Sequence, residues 1–319
     1  MSHPRISLGT SDLSVFPLNL GGNVFGWTAD RQESFDILDA FTEAGGNFID
    51  SADVYSAWAP GNSGGESERI IGEWQQLRGN RDDVVIATKV SQHPDFQGLS
   101  ASNIAKAADA SLERLRTDHI DLYYAHFDDE SVPLEETVTA LSELVDAGKV
   151  RYLGISNYSA ERIAEWFEIV DAQGLHRPVA LQPHYNLVER SYEGDLRAIA
   201  ARENLAVLPY YSLASGFLTG KYRDSTNVDS PRAGKAQEYL DKHSALLPVL
   251  DEVAAAHDVS VATVSLAWLR SQPTILAPIA SARTVDQLPG LLASATLELS
   301  PDEVQALSDA SQAADTAVR

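Results

Sequence analysis

The sequence predicts a (β/α)8 TIM barrel with an N-terminal β-hairpin and a C-terminal helix. Three observations carry that expectation. Eight short apolar segments read as strands, helical stripes fill the intervals, and 319 residues suit a barrel of ~250 residues with insertions. Strands that alternate with helices must pair in parallel, because each crossover needs a dozen or more residues. A doubly wound sheet would alternate as well, but strand count and length favour closure. No linker is long or polar enough to divide two cores, so residues 1–319 are expected to form one domain.

Taken in order, Arg5 to Phe16 has a turn at Gly9-Thr10-Ser11-Asp12 between β-prone pieces. That is the mark of a hairpin, placed where it could plug one end of the barrel. Strands are expected at Pro17–Leu20, Asn47–Ser51, Val84–Val90, Ile120–His126, Tyr152–Ser156, Ala180–His184, Ala206–Tyr210 and Ile275–Ala280. Ile104, Ala108, Leu112 and Leu115 stripe the helix before the fourth strand. Leu134, Val138, Leu141 and Val145 stripe the next, which opens at Ser131-Val132-Pro133 and stops at Gly148. Ile163, Phe167 and Val170 mark the helix after the fifth strand, and Val261, Val264 and Trp268 the one before the last. The rhythm breaks at Leu213 to His257, whose middle, Arg223 to Gly234, reads as a flexible flap rich in Asp, Ser, Pro and Gly. Ser300-Pro301-Asp302-Glu303 then starts the C-terminal helix, with a capping serine and acids in the first turn.

Composition narrows the function classes. Lys plus Arg number 24 against 46 Asp plus Glu, a net charge of -22. Such a surface repels phosphate backbones, and no basic run offsets it, so nucleic acid is not an expected partner. The chain has no cysteine, which excludes disulfides and thiolate chemistry. No apolar run reaches the roughly 18 residues of a membrane span, and Met1 to Thr10 lacks the pattern of a signal peptide. A soluble cytoplasmic protein is expected, and the sequence carries no mark of oligomeric state.

Candidate chemistry lies at the C-terminal strand ends, which converge on one face of a barrel. Asp50 ends the second strand, Lys89 stands in the third, His126 ends the fourth, and Tyr55 follows in the loop after Asp50. Each has an ordinary structural use: a capping aspartate, a solvated lysine, a packing tyrosine, a rim histidine. Their coincidence on three adjacent strands points elsewhere. Asp50 and Lys89 can neutralise each other in a pocket, since a lone buried charge is costly. An ammonium beside the phenol of Tyr55 favours the phenolate and eases release of its proton. His126 can orient a carbonyl oxygen. This machinery protonates an oxyanion and supplies no electrons, so a reductant must come from a cofactor. Phe25, Trp27, Trp58 and Phe127 could wall an apolar mouth or simply cover the barrel end.

The ordered set resembles the aldo-keto reductase superfamily over nearly the whole chain. It comprises Asn47-Phe48-Ile49-Asp50-Ser51-Ala52 with Tyr55, Gly65-Glu66-Ser67-Glu68-Arg69-Ile70-Ile71-Gly72, and Ala87-Thr88-Lys89. It continues through Asp121-Leu122-Tyr123-Tyr124-Ala125-His126, Gly154-Ile155-Ser156-Asn157-Tyr158, Gln182, and Leu213-Ala214-Ser215-Gly216-Phe217-Leu218-Thr219-Gly220-Lys221-Tyr222. The branch looks like the bacterial reductases akin to the potassium-channel β-subunit group. That likeness implies reduction of aldehydes or ketones with NADPH, NADH being possible. It implies Tyr55 as general acid, Lys89 and Asp50 as its tuners, and His126 as the carbonyl-orienting group. Ser156, Asn157 and Gln182 would hold the nicotinamide carboxamide, and Tyr210 would stack beneath the ring. Leu213, Ser215, Gly216, Leu218 and Lys221 would line the pyrophosphate. Arg283 and Gln287 match positions that meet the adenosine 2′-phosphate and adenine. Departures are Ala280-Ser281 for a common Pro-Gly, Gly290-Leu291 for Glu-Asn, and Tyr211-Ser212 for Ser-Pro.

Two other classes stay open on the residues alone. A nucleotide-sensing regulatory subunit that binds NADPH and turns over slowly would keep the same four residues. A metal-dependent barrel hydrolase would need clustered ligands; His93, His126 and His184 lie near strand ends, but no matching acids accompany them, so no metal is expected.

Overall fold

A computed structural model describes residues 5–223 and 233–316; most of the flap expected at Arg223 to Gly234 lies outside them. Among the described residues, one parallel sheet contains β1 (Asn19–Gly21), β2 (Phe48–Asp50), β3 (Val85–Val90) and β4 (Ile120–Ala125). It continues with β5 (Val150–Ser156), β6 (Ala180–Gln182), β7 (Ala206–Val207) and β8 (Ile279–Ala280). Sequential strands pair, and β8 returns beside β1 with Ile279 opposite Asn19. On its other side, Leu276 N–H donates to Val207 C=O at 2.9 Å and Ile279 N–H to Pro209 C=O at 2.9 Å. The sheet therefore curls until its two edges meet, a barrel-like α/β fold.

Alternation along the strands builds two cores. Phe48, Val85, Ala87, Leu122, Tyr124, Ala180 and Ala206 point into the barrel and form one cluster. Ile49, Ile86, Tyr123, Ala125 and Ile155 point outward and pack under the helices in a second, larger cluster. Side chains change face at every residue, so parity decides what the barrel's interior receives. Asp50, Lys89, His126, Ser156, Gln182 and Tyr210 share the parity of the inner cluster, and each lies at, just before or beyond the C-terminal end of its strand. That places them together.

The surrounding helices bury most of each stripe read from the sequence, with Leu112, Val145 and Val261 half-buried. Among them, α1 (Arg31–Glu43) and α2 (Glu66–Arg78) flank β2, and α3 (Ala101–Leu115) buries Ile104, Ala108 and Leu115. The helix α4 (Leu134–Asp146) buries Leu134, Val138 and Leu141, and α5 (Ala160–Gln173) buries Ile163, Phe167 and Val170. Next come α6 (Asp195–Arg202), α7 (Ala233–His243), α8 (Leu246–His257) and α9 (Val261–Arg270), the last burying Val264 and Trp268. Full burial of such side chains is worth roughly 1.5–3 kcal/mol each, ample to bind each amphipathic helix to the sheet. The chain closes with α10 (Leu288–Leu292) and α11 (Pro301–Thr316). At α11, Ser300 Oγ accepts from Glu303 N–H while Glu303 Oε2 accepts from Ser300 N–H at 2.7 Å, a reciprocal capping box.

Before β1, Ile6–Ser7 pairs antiparallel with Ser14–Val15. Leu8, Leu13 and Val15 join the inner cluster, and Asn47 pins this hairpin down by accepting from Phe16 N–H at 2.8 Å and donating to Ser14 C=O at 3.0 Å. The floor is thus filled, and the opposite end is left for chemistry.

Candidate active site

Asp50 is the last residue of β2, and its side chain is 1 % exposed. A carboxylate so dry needs donors, and it has three. Lys89 Nζ donates to Oδ2 at 2.7 Å, Tyr55 Oη donates to Oδ2 at 3.0 Å, and Gln182 Nε2 donates to Oδ1 at 2.8 Å. Lys89 is fully buried, and its ammonium also donates to Ser51 C=O at 2.6 Å and to Tyr55 Oη at 3.0 Å. An ammonium has three N–H groups; these three acceptors use them all. Burial pushes the Lys89 ammonium down, and the carboxylate of Asp50 opposes this.

The loop that presents Tyr55 is held at several points. Ser51 N–H donates to Ala87 C=O at 2.7 Å, Asp53 N–H to Lys89 C=O at 3.2 Å, and Tyr55 N–H to Ala52 C=O at 3.1 Å. Ser56 adopts φ 71°, and its hydroxyl donates to Phe25 C=O at 2.8 Å. The His126 ring lies 6.4 Å from the Tyr55 ring. Burial first, and Lys89 second, hold His126 well below the ordinary histidine range, so it is a neutral imidazole at neutral pH. Its Nδ1 is buried and without a hydrogen-bond partner.

From Asp50 a belt of hydrogen bonds runs around the rim. Ser156 Oγ donates to Gln182 C=O at 2.9 Å. Asn157, in the left-handed region at φ 57°, donates through Nδ2 to Ser156 Oγ at 3.0 Å and to His126 C=O at 2.8 Å. Tyr210 Oη then donates to Asn157 Oδ1 at 2.8 Å. Counting valences shows what stays open. Ser156 has spent its proton and Asn157 both N–H groups, so each offers only an acceptor. Gln182 keeps one N–H and its Oε1.

Beyond β7, the segment from Leu213 carries a run of left-handed residues: Ala214 at φ 46°, Ser215 at 56° and Gly216 at 96°. Such backbone is where consecutive N–H groups can converge on an anion, and Lys221 stands exposed just after it. Leu218 is fully buried; its N–H donates to Leu213 C=O and its C=O accepts from Ser265 Oγ. It serves the packing of this segment. Arg283 and Gln287 meet through the backbone, Arg283 N–H donating to Gln287 Oε1 at 2.9 Å.

An aromatic rim surrounds Tyr55. The Trp58 ring packs edge-on against Trp27 at 5.6 Å and against Tyr55 at 6.1 Å, and Phe127 lies 4.9 Å from His126. Trp58 and Phe127 are 48 % and 41 % exposed, large apolar side chains left open at the mouth. Phe25 differs from the expectation: it is fully buried within the outer core. A turn is closed there by Phe25 N–H on Gly22 C=O at 3.0 Å.

With this geometry in view, comparison with known proteins gives a direct answer. The profile of the aldo/keto reductase family matches residues 17–312. The chain belongs to the aldo/keto reductase family. Its similar proteins include the norsolorinic acid reductase stcV of Emericella nidulans, 32 % identical over 97 % of this chain and 81 % of the relative. An aryl-alcohol dehydrogenase [NADP(+)] of Phanerodontia chrysosporium is 31 % identical over 96 % and 85 % of the two chains. Among bacterial proteins, the uncharacterized oxidoreductase YrpG of Bacillus subtilis is 32 % identical over 95 % and 94 %. An aldo/keto reductase with such relatives is an oxidoreductase, and carbonyl reduction is the chemistry they support.

This aldo/keto reductase also contains polar groups that sequence reasoning passed over. Gln182, expected to hold the nicotinamide carboxamide, anchors Asp50 through Nε2. On the outer face of β3, Thr88 Oγ1 donates to Glu68 Oε1 at 2.6 Å, and Arg114 Nε donates to Glu68 Oε2 at 2.6 Å. Beside them Asp53 is fully buried, with neither carboxylate oxygen in a hydrogen bond of good geometry. Burial, then the charge of Glu68, hold its carboxyl well above the usual carboxylate range; Arg114 and the amides of Val54 and Ser91 oppose this only in part. The signal for Glu68 was available. It flanks the apolar face of α2, where a glutamate needs a cation. Among the described residues, no three His, Cys, Asp or Glu side chains gather as a metal would require, and no helix is long and apolar enough to cross a membrane.

Proposed function

We propose that this chain is an NADPH-dependent reductase of aldehydes or ketones in which Tyr55 gives the proton. The observation that carries the reading is the three-way contact of Lys89 Nζ with Asp50, Ser51 C=O and Tyr55 Oη. A phenol that accepts from a saturated ammonium loses its proton more readily, because the phenolate left behind is already paired. Tyr55 Oη, once its hydroxyl turns from Asp50, can donate to a carbonyl oxygen as negative charge develops there, and the neutral imidazole of His126 can hydrogen-bond the same oxygen.

The belt fits a nicotinamide carboxamide. Acceptors left open on Ser156 and Asn157 suit its –NH2, and the N–H left on Gln182 suits its C=O. The left-handed run through Ser215 and Gly216, with Lys221, suits a pyrophosphate. Arg283, which makes no ion pair among the described residues, suits a 2′-phosphate and so favours NADPH over NADH. The dehydrogenase relative whose name includes NADP(+) agrees with this preference. When bound, the dinucleotide supplies the hydride that none of these side chains holds.

The test is loss of NADPH absorbance with a panel of aldehydes and ketones, beside a Tyr55→Phe variant. Removing a general acid is expected to lower kcat by about 10²–10⁴-fold while the Kd for NADPH stays as in the parent. Full activity in the variant would end the assignment.

A further inference from the structure

One side chain at the rim is used by none of this. His184 lies two residues beyond Gln182, bridged to Tyr210 in parallel register. Its ring stacks on the Tyr210 ring at 5.2 Å with only 15° between the planes. Tyr211 leans against both, 5.3 Å from His184 at 59° and 5.4 Å from Tyr210 at 58°. Tyr211 pays for that position with φ 52°, unusual for a bulky residue. Asn186 Nδ2 holds the strained turn by donating to Tyr211 C=O at 2.9 Å.

The mechanical need is specific. Tyr210 is tied at Cβ by the chain and at Oη by Asn157, and those two ties lie on one line. A ring held only at its two poles still turns about that axis. Fixing its plane takes a flat neighbour against one face, and His184 is that neighbour. The buried Nε2 of the imidazole has no hydrogen-bond partner, so stacking, and not that nitrogen, holds the ring.

We propose that His184 is a positioning residue for the nicotinamide: it backs one face of Tyr210, fixes the ring plane, and so presents the other face to the cofactor. The inference rests on the reading of Tyr210 as the residue beneath the nicotinamide. A second consequence follows from the imidazole itself. Burial holds it below the ordinary histidine range, Lys235 of α7 adds to this and Glu189 opposes it; the phenols Tyr210 and Tyr211 complete its surroundings. Once protonated in mild acid, it would set a positive charge behind Tyr210. The oxidised nicotinamide is cationic and the reduced one neutral, so acid would weaken NADP+ more than NADPH.

The experiment is equilibrium binding of NADPH and NADP+, followed by quenching of protein fluorescence between neutral and mildly acidic pH. The proteins are the parent, His184→Ala and His184→Phe. Aromatic pairs are worth enough that His184→Ala should weaken both cofactors roughly three- to tenfold at neutral pH. His184→Phe, which keeps the flat face, should bind within about twofold of the parent and lose the acid-dependent separation of NADP+ from NADPH. Parent-like binding in His184→Ala, or weakening in His184→Phe equal to that in His184→Ala, would overturn the inference while leaving the reductase reading intact. A parent that binds neither cofactor would overturn both.

Discussion

At the scale of the residue, the buried ionisable groups among the described residues differ in how well they are matched. Lys89 matches three donors to three acceptors, and Glu68 has Arg114 and Thr88. Asp53, two residues before Tyr55, has no such match. A carboxyl whose folded-state value is raised keeps its proton where the unfolded chain has released it. Stability is then lost as pH rises from the unfolded carboxylate range toward the folded value. Asp53→Asn removes that penalty, so the variant should melt above the parent at neutral pH, and the two should converge in acid. Thermal unfolding at several pH values checks this, and a gap that stays constant with pH would refute it. The same contrast explains what the sequence disclosed. Asp50 and Lys89 were legible because each lies at or next to the end of a strand buried on both faces, where a charge must have a reason. Tyr55 followed from its place in the next loop. Asp53 was not legible, since its lack of partners depends on how α2 and α3 lie over β3, which no local spacing reports. His184 was noticed only as a ligand that lacked companions; its stacking on Tyr210 is a relation between two strands.

At the scale of the element, glycine at position 72 decides how closely two helices pack. Gly72 lies inside α2, where alanine would ordinarily gain about 1 kcal/mol of helix propensity. A Cβ there would come 2.2 Å from the Arg114 carbonyl oxygen and 2.7 Å from the Leu115 carbonyl carbon, and backbone atoms yield little. Overpacking of this kind costs about 1–3 kcal/mol, so Gly72→Ala should destabilise the protein by chemical denaturation, against its propensity. It should also loosen Arg114 from Glu68, because Arg114 lies in the last turn of α3 at the contact. Strand order and helix stripes were readable from periodicity, but strand ends were not. The sixth, seventh and eighth segments were expected to run to His184, Tyr210 and from Ile275; regular pairing covers only Ala180–Gln182, Ala206–Val207 and Ile279–Ala280. Pro183, Pro209 and Pro278 stand at those limits. Proline has no N–H to give a ladder, so the barrel continues there through isolated bonds such as Tyr210 N–H to Pro183 C=O at 2.9 Å.

At the scale of the whole molecule, charge and closure set the remaining behaviour. A net charge of -22 leaves many acids without a cation, and exposed pairs are worth only about 0–1 kcal/mol each. Mutual repulsion therefore outweighs the surface pairs. Moving from about 0.01 M to about 0.15 M NaCl shortens the screening length from roughly 30 Å to roughly 8 Å, so Tm should rise over that interval; a falling Tm would show that surface pairs dominate. Closure has a different kind of consequence, one of timing. The chain leaves the ribosome from its N-terminus, and the strand that completes the ring is made after the other seven. Asp50 waits for Gln182, 132 residues downstream, and Asn23 for Ser281, 258 residues downstream. Until β8 emerges, β1 and the β7 side keep unpaired edges, the kind of surface on which chains adhere to one another. A nascent chain halted before Pro278 would hold Asp50, Tyr55, Lys89 and His126 and yet have no ring to keep them dry. The last strand to arrive seals the first.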